Sequence, residues 1–229
     1  MRLTWADVFM TSVEKLLSIS SEALSRQAVT VNLPDFRNYG SVGDELLTLL
    51  EQKNGFYAFE SALHVFPAAS FEKEMTLSRW NSFGLWRHQY GELVENLLCF
   101  AEDAFGNQFC IRDGHIASFD AETGQVERIA GDLMEWAGLI LADYNLHTGY
   151  PVAHQWQIQH GALPIGKRLA LKVPLVLGGN YSLDNLYAVD AVEGMRFRGD
   201  IVHQIKDLPD GSQVQFRITR SASPDGDKS

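Results

Sequence analysis

Leu97-Leu98-Cys99-Phe100-Ala101, the segment Glu102 to Asn107, then Phe109-Cys110-Ile111 and Arg112-Asp113-Gly114-His115 carry the clearest strand and turn signals in the chain. The first five residues read as a buried strand. Gly106 lets the chain reverse between Glu102 and Asn107, and Phe109 and Ile111 continue on a partner strand. Asp113-Gly114 adopts positive φ at little cost and supplies the next turn. Ile116 to Phe119 returns, Glu122-Thr123-Gly124 turns again, and Val126 to Ile129 adds a further strand, so the stretch is a β-meander. Asp132 with Glu135 three residues on resembles a capping box, and Leu133, Trp136, Ala137, Ile140 and Leu141 share one face of the helix that follows. That face is expected to pack on the sheet. The fold class is therefore α+β, a mostly antiparallel sheet with helices packed against it.

Upstream, Val8, Phe9, Val13, Leu16 and Leu17 recur at helical spacing and predict a first helix over about residues 1–18. Leu33-Pro34-Asp35-Phe36 breaks the pattern. Asp44 is placed to cap a second helix whose Leu46, Leu47, Leu49 and Leu50 face inward until Asn54-Gly55 ends it. Phe56 to Phe66 reads as strand, and Phe71 to Tyr90, aromatic but without a clean period, as an irregular or helical connection. Downstream of Leu146 the balance becomes nine basic against eight acidic residues, and Gly149-Pro151 and Gly161-Pro164 interrupt regular structure. A boundary near residue 146 is expected, giving a domain over 1–145, an α/β C-terminal extension over 146–220 and a frayed tail over 221–229. Within the extension, Leu175-Val176-Leu177, Leu186 to Val192 and Val214 to Ile218 read as strands, and Ile201, Val202, Ile205 and Leu208 mark a helix.

Charge is the second informative feature. Glu92 to Asp143 holds eleven acidic residues and two basic ones, Arg112 and Arg128, so this stretch carries nine of the ten net negative charges. On a folded meander such density makes a surface for a basic partner. The candidate partner-binding residues are Glu92, Glu95, Glu102, Asp103, Asp113, Asp120, Glu122 and Glu127, with Trp86 as a candidate aromatic anchor. Acids at strand ends are more often merely solvated, and Trp86, like Trp80 and Tyr90, better suits a place in the core, since large aromatics are highly buried on average. A phosphate backbone would be repelled by this balance, which argues against nucleic acid as a partner. No basic leader precedes an apolar run, and no apolar stretch is long enough to cross a bilayer, so a cytoplasmic protein without a membrane partner is expected.

Enzyme chemistry finds little footing. Seven histidines are present, and His154 and His160 would share a face if their segment were a strand, but none has metal-ligand spacing. There is no His-Glu-x-x-His, Cys-x-x-Cys or Gly-x-Ser-x-Gly, and Gly178-Gly179-Asn180 lacks the spacing and lysine of a phosphate cradle. No catalytic residue, metal or cofactor is expected. Cys99 and Cys110, on neighbouring strands, read as reduced core residues.

Asn54-Gly55 after a helix, Ser61-Ala62-Leu63-His64-Val65-Phe66-Pro67, Leu98 to Phe109 and the strand-turn-strand-helix ending around Trp136 together resemble the SUKH superfamily over about residues 30–145. That superfamily includes a fungal cell-wall-synthesis regulator and many bacterial immunity proteins encoded beside toxins. The resemblance implies a non-catalytic module that binds a protein, foremost an immunity protein neutralising a cognate toxin with a basic cleft. A regulatory scaffold in cell-wall or signalling pathways, and an enzyme of unrecognised type, are the alternatives. Reversing Glu102 and Asp103 to Lys is expected to weaken partner capture with the fold intact.

Overall fold

The computed structural model describes residues 10–29, 36–68 and 75–209. The expected segments around Val8 and Phe9, Leu33 to Asp35, Phe71 to Glu74, Val214 to Ile218 and the 221–229 tail lie outside these residues. Six strands, β1 (Phe56–Ala58), β2 (Leu63–Val65), β3 (Leu98–Asp103), β4 (Gln108–Arg112), β5 (His115–Phe119) and β6 (Val126–Ala130), form one antiparallel sheet in chain order. The meander is thus as read, and the class is α+β. Asp113 and Gly114 take positive φ at the β4–β5 turn, and Gly106 does so between β3 and β4.

Helices α1 (Ser12–Ile19), α2 (Gly40–Gln52), α3 (Leu77–Trp80), α4 (His88–Tyr90), α5 (Leu133–Ala142), α6 (Tyr144–Thr148), α7 (Tyr150–His160) and α8 (Ala191–Ile205) surround it. Adjacent strand residues point to opposite faces, and Gln108 and Phe109 show which helices lie where. Phe109 and Phe100 pack edge-on against Trp136 of α5. Gln108 instead accepts from Trp80 Nε1 at 2.7 Å and reaches Met195 of α8. Helices therefore cover both faces, α5 on one, and the 75–94 segment with α8 on the other. Cys99 and Cys110 sit opposite each other on β3 and β4 as buried free thiols, the Cys110 Sγ donating to Cys99 Sγ at 3.1 Å.

Local chemistry explains the element ends. Thr11 and Glu14 make a reciprocal capping box at α1. Asp132 accepts from Glu135 N at the start of α5, while Glu135 Oε2 accepts from Gly131 N. Asp44 does not cap α2, because a short 3-10 turn over Phe36–Tyr39 feeds directly into the helix at Gly40 and leaves Asp44 inside it. Asn54 does end that region, its side chain accepting from Ala68 N and donating to the Gln27 carbonyl.

Phe56 to Phe66 is a hairpin rather than one strand. Phe59, Glu60 and Ser61 all take left-handed φ, which turns the chain without a glycine to announce it. The turn is held from α7, where His154 Nδ1 lies 2.7 Å from Glu60 Oε2 and Gln157 Nε2 donates to the Glu60 carbonyl. The 75–94 segment is a chain of short helical turns. Asn81 brackets both backbone groups of Cys99, and Arg87 donates to the Leu97 and Val94 carbonyls.

Beyond residue 146, β7 (Lys167–Leu171), which the periodicity did not reveal, pairs antiparallel with β8 (Leu186–Asp190). Leu175-Val176-Leu177 is a 3-10 turn, set by Pro174 before it and Gly178 with positive φ after it. The strand from Leu186 stops at Asp190, whose carboxylate accepts from Val192 N and Glu193 N and so starts α8. His154 to His160 lies in helix α7, so the strand that would have put the two histidines on one face is not formed. Many contacts cross the boundary expected at 146. Leu169 N donates to the Ala104 carbonyl, Ala104 N donates to Thr148, and Met195 and Val202 enter the main core. A smaller core joins Ala62 and Phe105 to Trp156, Leu169, Leu171 and Leu186.

Candidate protein-binding surface

Strand direction divides the acidic residues. Because Gln108 pairs with Phe119 and Arg112 with His115, the 104–107 and 120–125 turns lie at one end of the sheet and the 113–114 turn at the other. Asp103, Asp120, Glu122 and Glu127 belong to the first end. Glu92 joins them, because the neighbouring Leu93 packs on Gly124, where a Cβ would lie 2.8 Å from Leu93 Cδ1. Asp113 lies at the opposite end, beside Arg112, and Glu95 sits three residues before the start of β3 at that end. The eight acids are therefore not one face.

Three of the expected contact residues are interior, and for these the surface reading is corrected. Trp86 is fully buried, with its ring among Trp80, Tyr90 and Phe119. Asp103 accepts from Phe105 N, Asn107 N and Asn107 Nδ2, which closes the β3–β4 turn. Glu102 is 2 % exposed. Its Oε1 lies 2.8 Å from Arg168 Nε and 3.0 Å from His64 Nδ1, both also buried. This ion pair lets β3 run two residues beyond the strand read from the sequence. His64 stacks on Tyr57 at 4.4 Å, and the Arg168 guanidinium sits over the same ring.

Glu92, Asp120 and Glu127 remain exposed at the first end, with Glu122 half-buried. Asp120 Oδ1 accepts from Glu122 N and Thr123 N, so it also shapes its own turn. Glu122 Oε2 accepts from Leu175 N at 2.8 Å, which ties the turn to the segment after β7. Tyr181 of that segment packs on Phe105, and burial together with the neighbouring Asp103, Glu122 and Asp120 pushes its phenol up to about 12. Arg198, buried below, donates to the Phe105 carbonyl. Sequence reasoning missed Arg168, Arg198 and the 172–185 segment as partners of the meander, since each acts across many tens of residues. The only local sign was Gly178-Gly179.

The buried groups make stability depend on pH in two opposing ways. Burial pushes His64 down to about 4 against the pull of Glu102, so the folded state resists its protonation, and stability is lost as pH falls from 6.5 through 4. Burial pushes Asp103 up to about 6 against its three donors, so its contribution is full below 3.8 and lost as pH rises through 6. Burial opposes ionisation of Glu102 too, but Arg168 and His64 hold its carboxyl below the usual range. The expected result is a nearly level stability between pH 6 and 4, followed by loss in stronger acid as Glu102 protonates. In Asp103→Asn the level region should become a decline toward acid, measured by urea unfolding at stepped pH. An unchanged profile in that variant would contradict this balance.

Among the described residues no group of three or more His, Cys, Asp or Glu side chains is placed to hold a metal ion, and no helix is long and apolar enough to cross a membrane. Comparison with protein-family models and with curated proteins gives no match. The fold is similar to the crystal structure of Atu4351 from Agrobacterium tumefaciens, with a TM-score of 0.58 and 12% identity over 82% of this chain and 88% of that one.

Proposed function

We propose that this chain is a cytoplasmic, SUKH-like, non-catalytic protein-binding module that acts as an immunity protein, neutralising a basic toxin domain. The observation that carries the reading is the gathering of Glu92, Asp120, Glu122 and Glu127 at one end of the sheet on a chain of net charge −10. Carboxylates fixed on a rigid turn raise the local concentration of a basic partner and speed its docking by about 10 to 1,000-fold at low salt. Glu95, Asp113, Glu102, Asp103 and Trp86 have no part in this surface.

Glu92 and Glu127 are the residues to reverse. Both are exposed, neither caps a turn, and the Glu92–Lys206 contact at 3.4 Å is itself a surface pair of small worth. With the full chain as bait in lysate of the source organism, Glu92→Lys/Glu127→Lys should recover the partner at least about tenfold more slowly at low salt and equally at high salt. One stoichiometric partner carrying a toxin domain supports immunity. Several weak partners would favour the scaffold, and capture indifferent to both salt and charge reversal would refute the electrostatic surface.

A further inference from the structure

We propose that the loop between Lys172 and Asn185 is a preformed apolar wedge that enters a concave, basic-rimmed cleft on the protein partner; this rests on the protein-binding reading above. Its neck is closed by backbone and side-chain bonds. Lys172 N donates to the Asn185 carbonyl, Val173 N donates to Asn185 Oδ1, and Asn185 Nδ2 donates to the Val173 and Asn180 carbonyls. A Cβ at Gly179 would lie 1.7 Å from the Val173 carbonyl oxygen, so only glycine allows this closure. The result is a compact Ω-loop that loses little freedom on binding.

This loop shows apolar side chains to solvent. Val173, Leu175, Val176, Leu177 and Tyr181 are 46%, 40%, 38%, 39% and 42% exposed, and Tyr187 on β8 adds another at 38%. Single exposed apolar residues are ordinary, but so many in one short closed loop mark a contact surface. The base of the loop is acidic. Glu122 holds Leu175 N, Asp120 adjoins it in the same turn, and Asp184 lies in the loop itself, while Lys172 at the neck donates to the Asp184 carbonyl. Apolar side chains beside carboxylates fit an apolar cleft floor between lysines and arginines. A second copy of this chain would bring its own acidic base against this one, which opposes self-association.

The test places a photo-reactive benzoylphenylalanine at Val176, and as a control at Asp113 on the opposite end of the sheet, in the full chain. It also measures the affinity of Leu175→Ser/Leu177→Ser for the captured partner. Since that pair of changes can loosen the loop, Val176→Ser and the thermal unfolding of each variant are measured alongside. The expected result is cross-linking from 176 and not from 113, to partner peptides that also carry lysine or arginine. The double variant should bind about 30-fold or more weakly at unchanged unfolding temperature, as for a central hot spot, with its salt dependence kept. Full affinity in the loop variants, while Glu92→Lys/Glu127→Lys weakens binding, would overturn the wedge and leave the protein-binding reading standing. Cross-linking from 176 to another copy of this chain would also overturn it, and failure of the unmodified chain to retain any partner would overturn both.

Discussion

Glu102→Ala should cost about 3–5 kcal/mol of folding stability, the range for removing one partner of a buried ion pair. The substitution leaves Arg168, 3 % exposed, without the carboxylate 2.8 Å from its Nε, and takes from His64 its Nδ1 partner. Arg168 Nη1 keeps its bond to the neighbouring Lys167 carbonyl, a neutral acceptor. Glu102→Gln should cost less, since an amide oxygen still accepts from His64. Glu102→Leu combined with Arg168→Met should recover much of the loss, because two apolar groups end the need for a counter-charge. Reversal to Lys, expected from sequence to spare the fold, would instead set two cations together in the interior. Urea unfolding decides between these accounts: a cost below about 1 kcal/mol for Glu102→Ala would mean that the pair is solvated and contributes as surface pairs do.

Trp86→Ala should cost a similar amount, about 3–5 kcal/mol, as other buried large-to-small aromatic changes do. Trp86 has no solvent exposure, and its ring centroid lies 5.5 Å from Trp80 and 5.6 Å from Tyr90, with Phe119 of β5 beyond. The cavity would open between the sheet and the segment that runs from α3 to α4. Trp86→Phe should lose much less, since it keeps most of the apolar volume. If Trp86 were a surface anchor, the alanine variant would unfold like the parent chain and lose partner affinity alone. A normal unfolding midpoint together with weakened capture would therefore contradict the packing described.

The meander was legible because its determinants are local. Alternating apolar residues, Asp113-Gly114 and Gly106 state strand, turn and strand within a few residues, and Asp132 with Glu135 announces α5. The Phe59-Glu60-Ser61 turn was hidden, because its left-handed backbone depends on His154 and Gln157 of a helix some ninety residues on. The same holds for Glu102. An acid after Ala101 reads as a strand end, and only Arg168, on a strand the pattern did not reveal, turns it into strand interior. Leu175-Val176-Leu177 has strand composition, yet Pro174 and Gly178 bend it into a turn whose apolar side chains face outward. The acidic composition was plain in the sequence, but its division between the two ends of the sheet and the interior depends on register, which composition does not encode.

The proposed immunity role is tested by titrating the toxic activity of the partner recovered by capture with the full chain. The expected result is linear loss of that activity to a one-to-one end point, reached more slowly at low salt by Glu92→Lys/Glu127→Lys than by the parent chain. A partner that stays fully active in the saturated complex would contradict it.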